Sequence, residues 1–173
     1  MCIRDRWWRL VTSGFTHFGI PHLLMNMVSL YFLGTFLEPA LGRSKFLALY
    51  FASLLAGTAG ALIIQPDYGL TAGASGAIFG LLGASAIALR QRGIGLMQSG
   101  LGITLLLNVV LTFTIPGISI GGHLGGLVGG AVCGYVMLAP GHRAFPRWAS
   151  YATPAAVAVF SVIISLAVSR NPI

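Results

Sequence analysis

Four side chains able to do chemistry sit in apolar surroundings in this chain: His22, Asn26, Ser75 and His123. A serine hydroxyl within ~2.6–3.2 Å of a neutral imidazole is an activated nucleophile, because the ring can take its proton and later give it to a leaving amine. Acyl transfer by such a pair also needs donors aimed at the oxyanion that forms. Ser75 lies in Gly73-Ala74-Ser75-Gly76 at the start of an apolar run. A helix beginning there offers the serine's own backbone N–H in a favourable dipole, and the Asn26 amide and His22 ring can add side-chain donors. No acid is placed to orient His123. Asp5 is at the extreme N-terminus, Asp67 in a connection, and Glu38 at the far end of its apolar run. Ser75 and His123 are therefore expected to work as a dyad.

Taken singly, each residue has an ordinary explanation. Serine in a membrane helix commonly bonds back to its i−4 carbonyl, asparagine can tie helices together, and histidine suits the interface. His123 is harder to explain away, since an ionisable group between glycines in an apolar segment is costly and usually faces a cavity. Gly-x-Ser-Gly is not the Gly-x-Ser-x-Gly elbow of soluble hydrolases, because residue 77 is Ala and no strand precedes the serine.

The elements that must position these groups follow from composition. The 173 residues are 56% hydrophobic and 8% charged, with three acids and a net charge of +7. Mean hydropathy is +0.88. Such a chain cannot cover a water-facing surface, so the bilayer is its main solvent. The ten basic residues are scattered rather than striped, which argues against nucleic acid. Cys2 and Cys133 suggest neither a disulfide framework nor a metal site. Apolar stretches over residues 22–37, 46–64, 74–89, 96–115, 121–138 and 151–168 are separated by turn residues such as Glu38-Pro39, Gly42-Arg43, Ile115-Pro116-Gly117 and Ala139-Pro140-Gly141. They lack alternation, and lipid permits only helices or closed barrels. The expected class is all-α: a polytopic membrane bundle of six transmembrane helices.

Arg43 and Lys45, Arg90 and Arg92, and Arg143 and Arg147 fall in alternate connections, which the positive-inside rule puts in the cytoplasm; Arg4, Arg6 and Arg9 count against it. The stretches beginning near His22, Ala74 and Gly121 then enter the membrane from one non-cytoplasmic side. His22, Asn26, Ser75 and His123 would share a single shallow layer. Small residues at four-residue spacing follow each half of the pair, Gly76, Gly80 and Ala84 in one case and Gly126, Gly130 and Gly134 in the other. They let two backbones approach closely enough for a short serine side chain to reach a histidine.

His22-Leu23-Leu24-Met25-Asn26, Gly73-Ala74-Ser75-Gly76 and Gly122-His123-Leu124-Gly125-Gly126, each opening a membrane helix in that order, resemble the rhomboid family. Trp8-Arg9, His17 and Glu38 with Gly42 support the resemblance, which covers about residues 7–140. It implies an intramembrane serine protease with nucleophile Ser75, base His123, and an oxyanion hole of His22, Asn26 and the Ser75 backbone. Gly73, Gly76, Phe79 and His17 would be supporting residues, and no metal or other cofactor is implied. Phe79 stands where many members carry a Tyr packed on the histidine. The implied partners are single-pass transmembrane substrates and the lipid bilayer, with small residues before the scissile bond. Residues 1–140 would form the protease core, and residues 141–173 a linker and an additional C-terminal helix. The chain starts almost at the Trp-Arg loop, so the family's first helix is expected to be missing from it.

A catalytically inactive rhomboid-like protein that binds membrane clients is the alternative, but it would lack Ser75 or His123. A small transporter using His22 and His123 would want paired charges within the helices and gives Ser75 no task. His142 is expected to be solvated or at headgroup level, Trp7, Trp8 and Trp148 to be interfacial anchors, Met25 and Met27 to serve packing, and Tyr68 and Phe113 to be candidates for a substrate entry. Residues 113–118 are the candidate for a mobile cap over the site, their Pro and Gly suiting a hinge and a plain turn equally. The absence of eukaryotic targeting signals points to a bacterial inner membrane, with the site opening on the non-cytoplasmic side.

Overall fold

Glycine and serine mark several helix boundaries of this chain, whereas its helices run through Pro39 and Pro154. The computed structural model describes residues 6–64, 72–143 and 145–170. A short helix α1 (Arg9–Thr12) and a 3-10 turn lead into α2 (Ile20–Leu41), whose first turn holds Pro21, where the missing N–H costs nothing. The turn expected at Glu38-Pro39 does not form. Pro39 lies in the last turn of α2 and removes a single ladder donor, so the helix continues to Gly42. There φ is +76° and the Gly42 N–H closes on Glu38 O at 2.8 Å. Helix α3 (Arg43–Ile64) starts at the next residue.

Helix α4 (Ser75–Gln91) follows the connection to α3, and α5 (Leu101–Thr114) starts later than the expected residue 96. Gly100, at φ +73°, separates α5 from the 3-10 turn Met97–Ser99. Helix α6 (Ile120–Met137) is capped by Ser119, whose Oγ accepts from Gly122 N at 3.1 Å. Helix α7 (Ala149–Arg170) is the last helix among the described residues. The class is all-α, with no strand among the described residues. Of the six expected spans, α2, α3, α6 and α7 are long and apolar enough to cross a membrane, whereas α5 is a shorter apolar helix and α4 has 17 residues.

Helix α4 is short yet buried along nearly its whole length, wedged between α3 and α6. Its neighbours approach through glycine. A Cβ added at Gly126 or Gly130 would overlap the backbone of Gly76 or Gly80, and one at Gly57 would lie 2.8 Å from Gly122 O. Close backbone contact is the main source of helix affinity where lipid removes the hydrophobic drive. Helices α2 and α5 lie outside this trio with exposed Leu24, Phe32, Phe36, Leu106 and Leu107. A large apolar exterior of this kind is what a bilayer, rather than water, solvates.

The two ends of the bundle differ. The starts of α2, α4 and α6 gather at one end. At the other, Arg92 Nη1 donates to Ala88 O and Leu138 O at 3.0 Å each, Gln91 Nε2 donates to Tyr135 O at 2.9 Å, and Arg43 faces Glu38 at 3.6 Å. Gly130→Ala is expected to lower the unfolding free energy by about 1–3 kcal/mol, the usual range for overpacking. Gly141→Ala, which meets nothing within 4 Å, should change it by less than about 0.5 kcal/mol. Denaturant titration of both variants in micelles checks the contrast.

Candidate active site

Ser75 is the first residue of α4 and His123 stands in the first turn of α6, so the α4–α6 contact brings them together. His123 Nε2 lies 2.9 Å from Ser75 Oγ, inside the range for proton transfer. The serine is half-buried and the histidine buried at 9% exposure. Phe79, one turn beyond Ser75, stacks on the imidazole with centroids 4.0 Å apart and planes at 18°. The ring therefore has one face covered and its orientation restricted.

The start of α4 carries no side-chain cap. The first-turn N–H groups, that of Ser75 among them, have no partner within the helix and form a small positive region at its end. Two residues of α2 approach it. Asn26, 5% exposed, donates one amide hydrogen to His22 O at 2.8 Å and keeps a second free, while its Oδ1 is buried without a protein partner. His22 Nδ1 accepts a long bond from Phe18 N at 3.4 Å, which assigns the proton of the neutral ring to Nε2. Gly73 lets that nitrogen come close: at φ +118°, a Cβ there would stand 2.7 Å from His22 Cε1 and 2.9 Å from Nε2.

His17 packs edge-on against His22 at 5.2 Å, and Phe18 stacks on it at 5.9 Å. His17 thus reaches the site through ring contact, with its Nε2 buried and unpartnered. A cavity of about 840 Å³ opens over the group, lined by Ser75, His123, His22, Asn26 and Phe79. Met25, expected in packing, is exposed and lines this cavity, and Met27 is exposed too. Residues 115–119 form part of the wall, whereas Phe113 points outward at 59% exposure. Trp7, Trp8 and Trp148 are exposed. Asp5, Asp67 and Tyr68 lie outside the described residues.

The geometry thus gathers Ser75, His123, His22, Asn26, Gly73, Phe79 and His17 at one end of the bundle, with Gly76 packed beneath on Gly57 and Gly122. Two contributors went unnoticed in the sequence. Ser119 caps α6, and Thr112 of α5 places Oγ1 2.7 Å from His123 Nδ1. The available signal for the second was a polar residue every four positions, Thr104, Asn108 and Thr112, in a mostly apolar helix. Among the described residues no His, Cys, Asp and Glu cluster could hold a metal ion.

The arrangement is a serine–histidine pair in a helical membrane bundle, and comparison with known proteins agrees with its setting. Residues 4–140 match the Rhomboid domain. Rhomboid protease GluP of Bacillus subtilis (strain 168) is 38% identical over 147 residues, covering 83% of this chain and 29% of that protein. YdcA of the same organism is 37% identical over 143 residues, covering 80% of the chain and 71% of that protein. RHOMBOID-like protein 4 of Arabidopsis thaliana is 34% identical over 147 residues, covering 80% and 36%. The chain belongs to the rhomboid family and is an integral membrane protein. It spans less than a third of the first relative's length and about seven-tenths of the second's.

Gly73→Ala is expected to push the His22 ring away and to destabilise the protein by about 1–3 kcal/mol. Histidine ring resonances and thermal unfolding of the variant check this. An unmoved His22 signal at wild-type stability would contradict the close approach.

Proposed function

We propose that this chain is an intramembrane serine endopeptidase that cleaves membrane-anchored proteins in or beside their transmembrane segments. The observation that carries the reading is the 2.9 Å contact between Ser75 Oγ and His123 Nε2 beside a half-open cavity. His123 takes the hydroxyl proton as Ser75 Oγ attacks the scissile carbonyl carbon. The resulting oxyanion is met by the Ser75 N–H, the free Asn26 amide hydrogen and His22 Nε2–H. His123 then gives its proton to the leaving amine, and an acyl ester remains on Ser75. A water deprotonated by His123 attacks that ester, and Ser75 Oγ recovers its proton as the acid departs.

A substrate helix must unwind locally to take part, because a helical carbonyl is already bonded and shielded by side chains. The favoured substrates are single-pass membrane proteins with small residues before the cut and Gly or Pro nearby. Arg43, Lys45, Arg90 and Arg92 lie at the end of the bundle away from Ser75, which supports an active site opening to the non-cytoplasmic side. The proposed residence is a bacterial inner membrane. Residues 1–140 serve as the protease core, with α7 an addition packed on α3 and α6.

Purified protein should react with a fluorophosphonate probe and cut a model single-pass substrate. Both activities should disappear in Ser75→Ala and nearly so in His123→Ala. Asn26→Ala should lower kcat by about 10²–10³-fold, the usual loss for one oxyanion donor. Folded wild-type protein that neither labels nor cleaves would instead indicate an inactive client-binding protein.

A further inference from the structure

The chemistry above uses one nitrogen of His123, and the other has a partner of its own. Thr112 Oγ1 lies 2.7 Å from His123 Nδ1, and Thr112 is only 3% exposed. The same hydroxyl lies 2.7 Å from Asn108 O, one turn earlier in α5. A carbonyl oxygen only accepts, and a threonine hydroxyl carries a single proton. That proton goes to Asn108, so Oγ1 faces His123 with lone pairs. Nδ1 must then be the protonated nitrogen of the neutral ring. Nε2 keeps the lone pair, and it is Nε2 that faces Ser75. The opposite tautomer would oppose two lone pairs at Thr112 and present an N–H to the serine, leaving no base.

We propose that Thr112 is a positioning residue that selects the basic tautomer of His123 and holds the ring against Phe79. This inference rests on the proteolytic reading above. Thr112 stands where a carboxylate would stand in a serine–histidine–acid triad, but it is neutral, and its acceptor strength is raised by the bond it donates to Asn108. When His123 takes the serine proton, the Nδ1–H bond becomes charge-assisted. Ordinary back-bonding of a membrane threonine accounts for the Asn108 contact but leaves the 2.7 Å approach to the imidazole unexplained. Gly102 and Thr112 are the buried residues of α5, so the histidine contact also fixes where the C-terminal end of that helix rests.

Thr112→Val keeps the shape and removes the acceptor, while Thr112→Ser restores it. In fluorophosphonate labelling and substrate cleavage the valine variant should be about 10–100-fold slower, with the loss in kcat and KM within about 3-fold, as expected for a bond that strengthens on protonation of the ring. The serine variant should stay within about 3-fold of wild type. A valine variant as fast as wild type, or a serine variant as slow as valine, overturns the inference while leaving the protease reading intact. Wild-type protein that does not label at Ser75 overturns that reading first. Nitrogen-15 spectra of histidine-labelled wild type, with His123 identified by its loss in His123→Ala, need no folded valine variant. They should show Nδ1 protonated and Nε2 bare, and the reverse overturns the inference.

Discussion

The distance between the backbones of α4 and α6 is the constraint on which the rest of the molecule depends. A serine side chain is one carbon and one oxygen long, so its hydroxyl reaches an imidazole on another helix only if the two helices almost touch. Gly76 and Gly80 against Gly126 and Gly130 supply that approach, and Gly57 and Gly60 extend it to α3. In lipid no hydrophobic effect drives helices together, so this contact is a principal source of cohesion as well as of reach. Stability and chemistry use the same glycines. A side chain introduced there would separate the backbones and, with them, Ser75 from His123.

Around this tight trio the outer helices are held differently. Helix α2 buries few side chains and α5 fewer, and their outward faces are apolar. Yet these helices bring His22, Asn26 and Thr112 to the pair. Their placement relies on a few local contacts: Phe18 and His17 around the His22 ring, the Asn26 bond to His22 O, and the Thr112 bond to His123. The Ser75–His123 pair is thus set by close backbone packing, while the groups gathered around it stand on elements with little packing of their own. Gly73 joins the two regimes, since its missing side chain is the space occupied by the His22 ring.

Much of this was legible because membrane helices announce themselves by length and apolarity, and because alternate helix starts share one end of a bundle. Those two facts suffice to bring Ser75, His123, His22 and Asn26 to one end of the bundle from sequence. The boundaries were harder. Pro39 looked like a turn, but a proline in the last turn removes only one donor, and of the two turns expected there only Gly42-Arg43 ends the helix. Gly100 could not be told from the packing glycines of α4 and α6, since a left-handed φ leaves no mark in composition. Gly57 and Gly60 of α3 were not legible as packing residues, because that helix carries no chemical residue to mark which of its faces meets α6. Thr112 escaped for a similar reason: threonine in a membrane helix usually satisfies itself, and only its position beside His123 separates it from that majority.

A third partner for His123 need not be an acid. The three carboxylates of the chain are at its N-terminus, in a connection and at the far end of α2, and bringing one into an apolar bundle would carry a large desolvation cost. A hydroxyl already bonded to a helix carbonyl is neutral and costs far less to bury, while still accepting from Nδ1–H. In the proposed chemistry the resting site then holds no charge. Charge appears as a pair, imidazolium and oxyanion, only when Ser75 attacks, and the two ions form close together in a medium where their attraction is strong. A fixed carboxylate would stabilise the imidazolium too, but it would leave a net charge in the membrane after turnover. A neutral third partner is therefore the solution that a lipid-embedded serine–histidine pair can hold at rest.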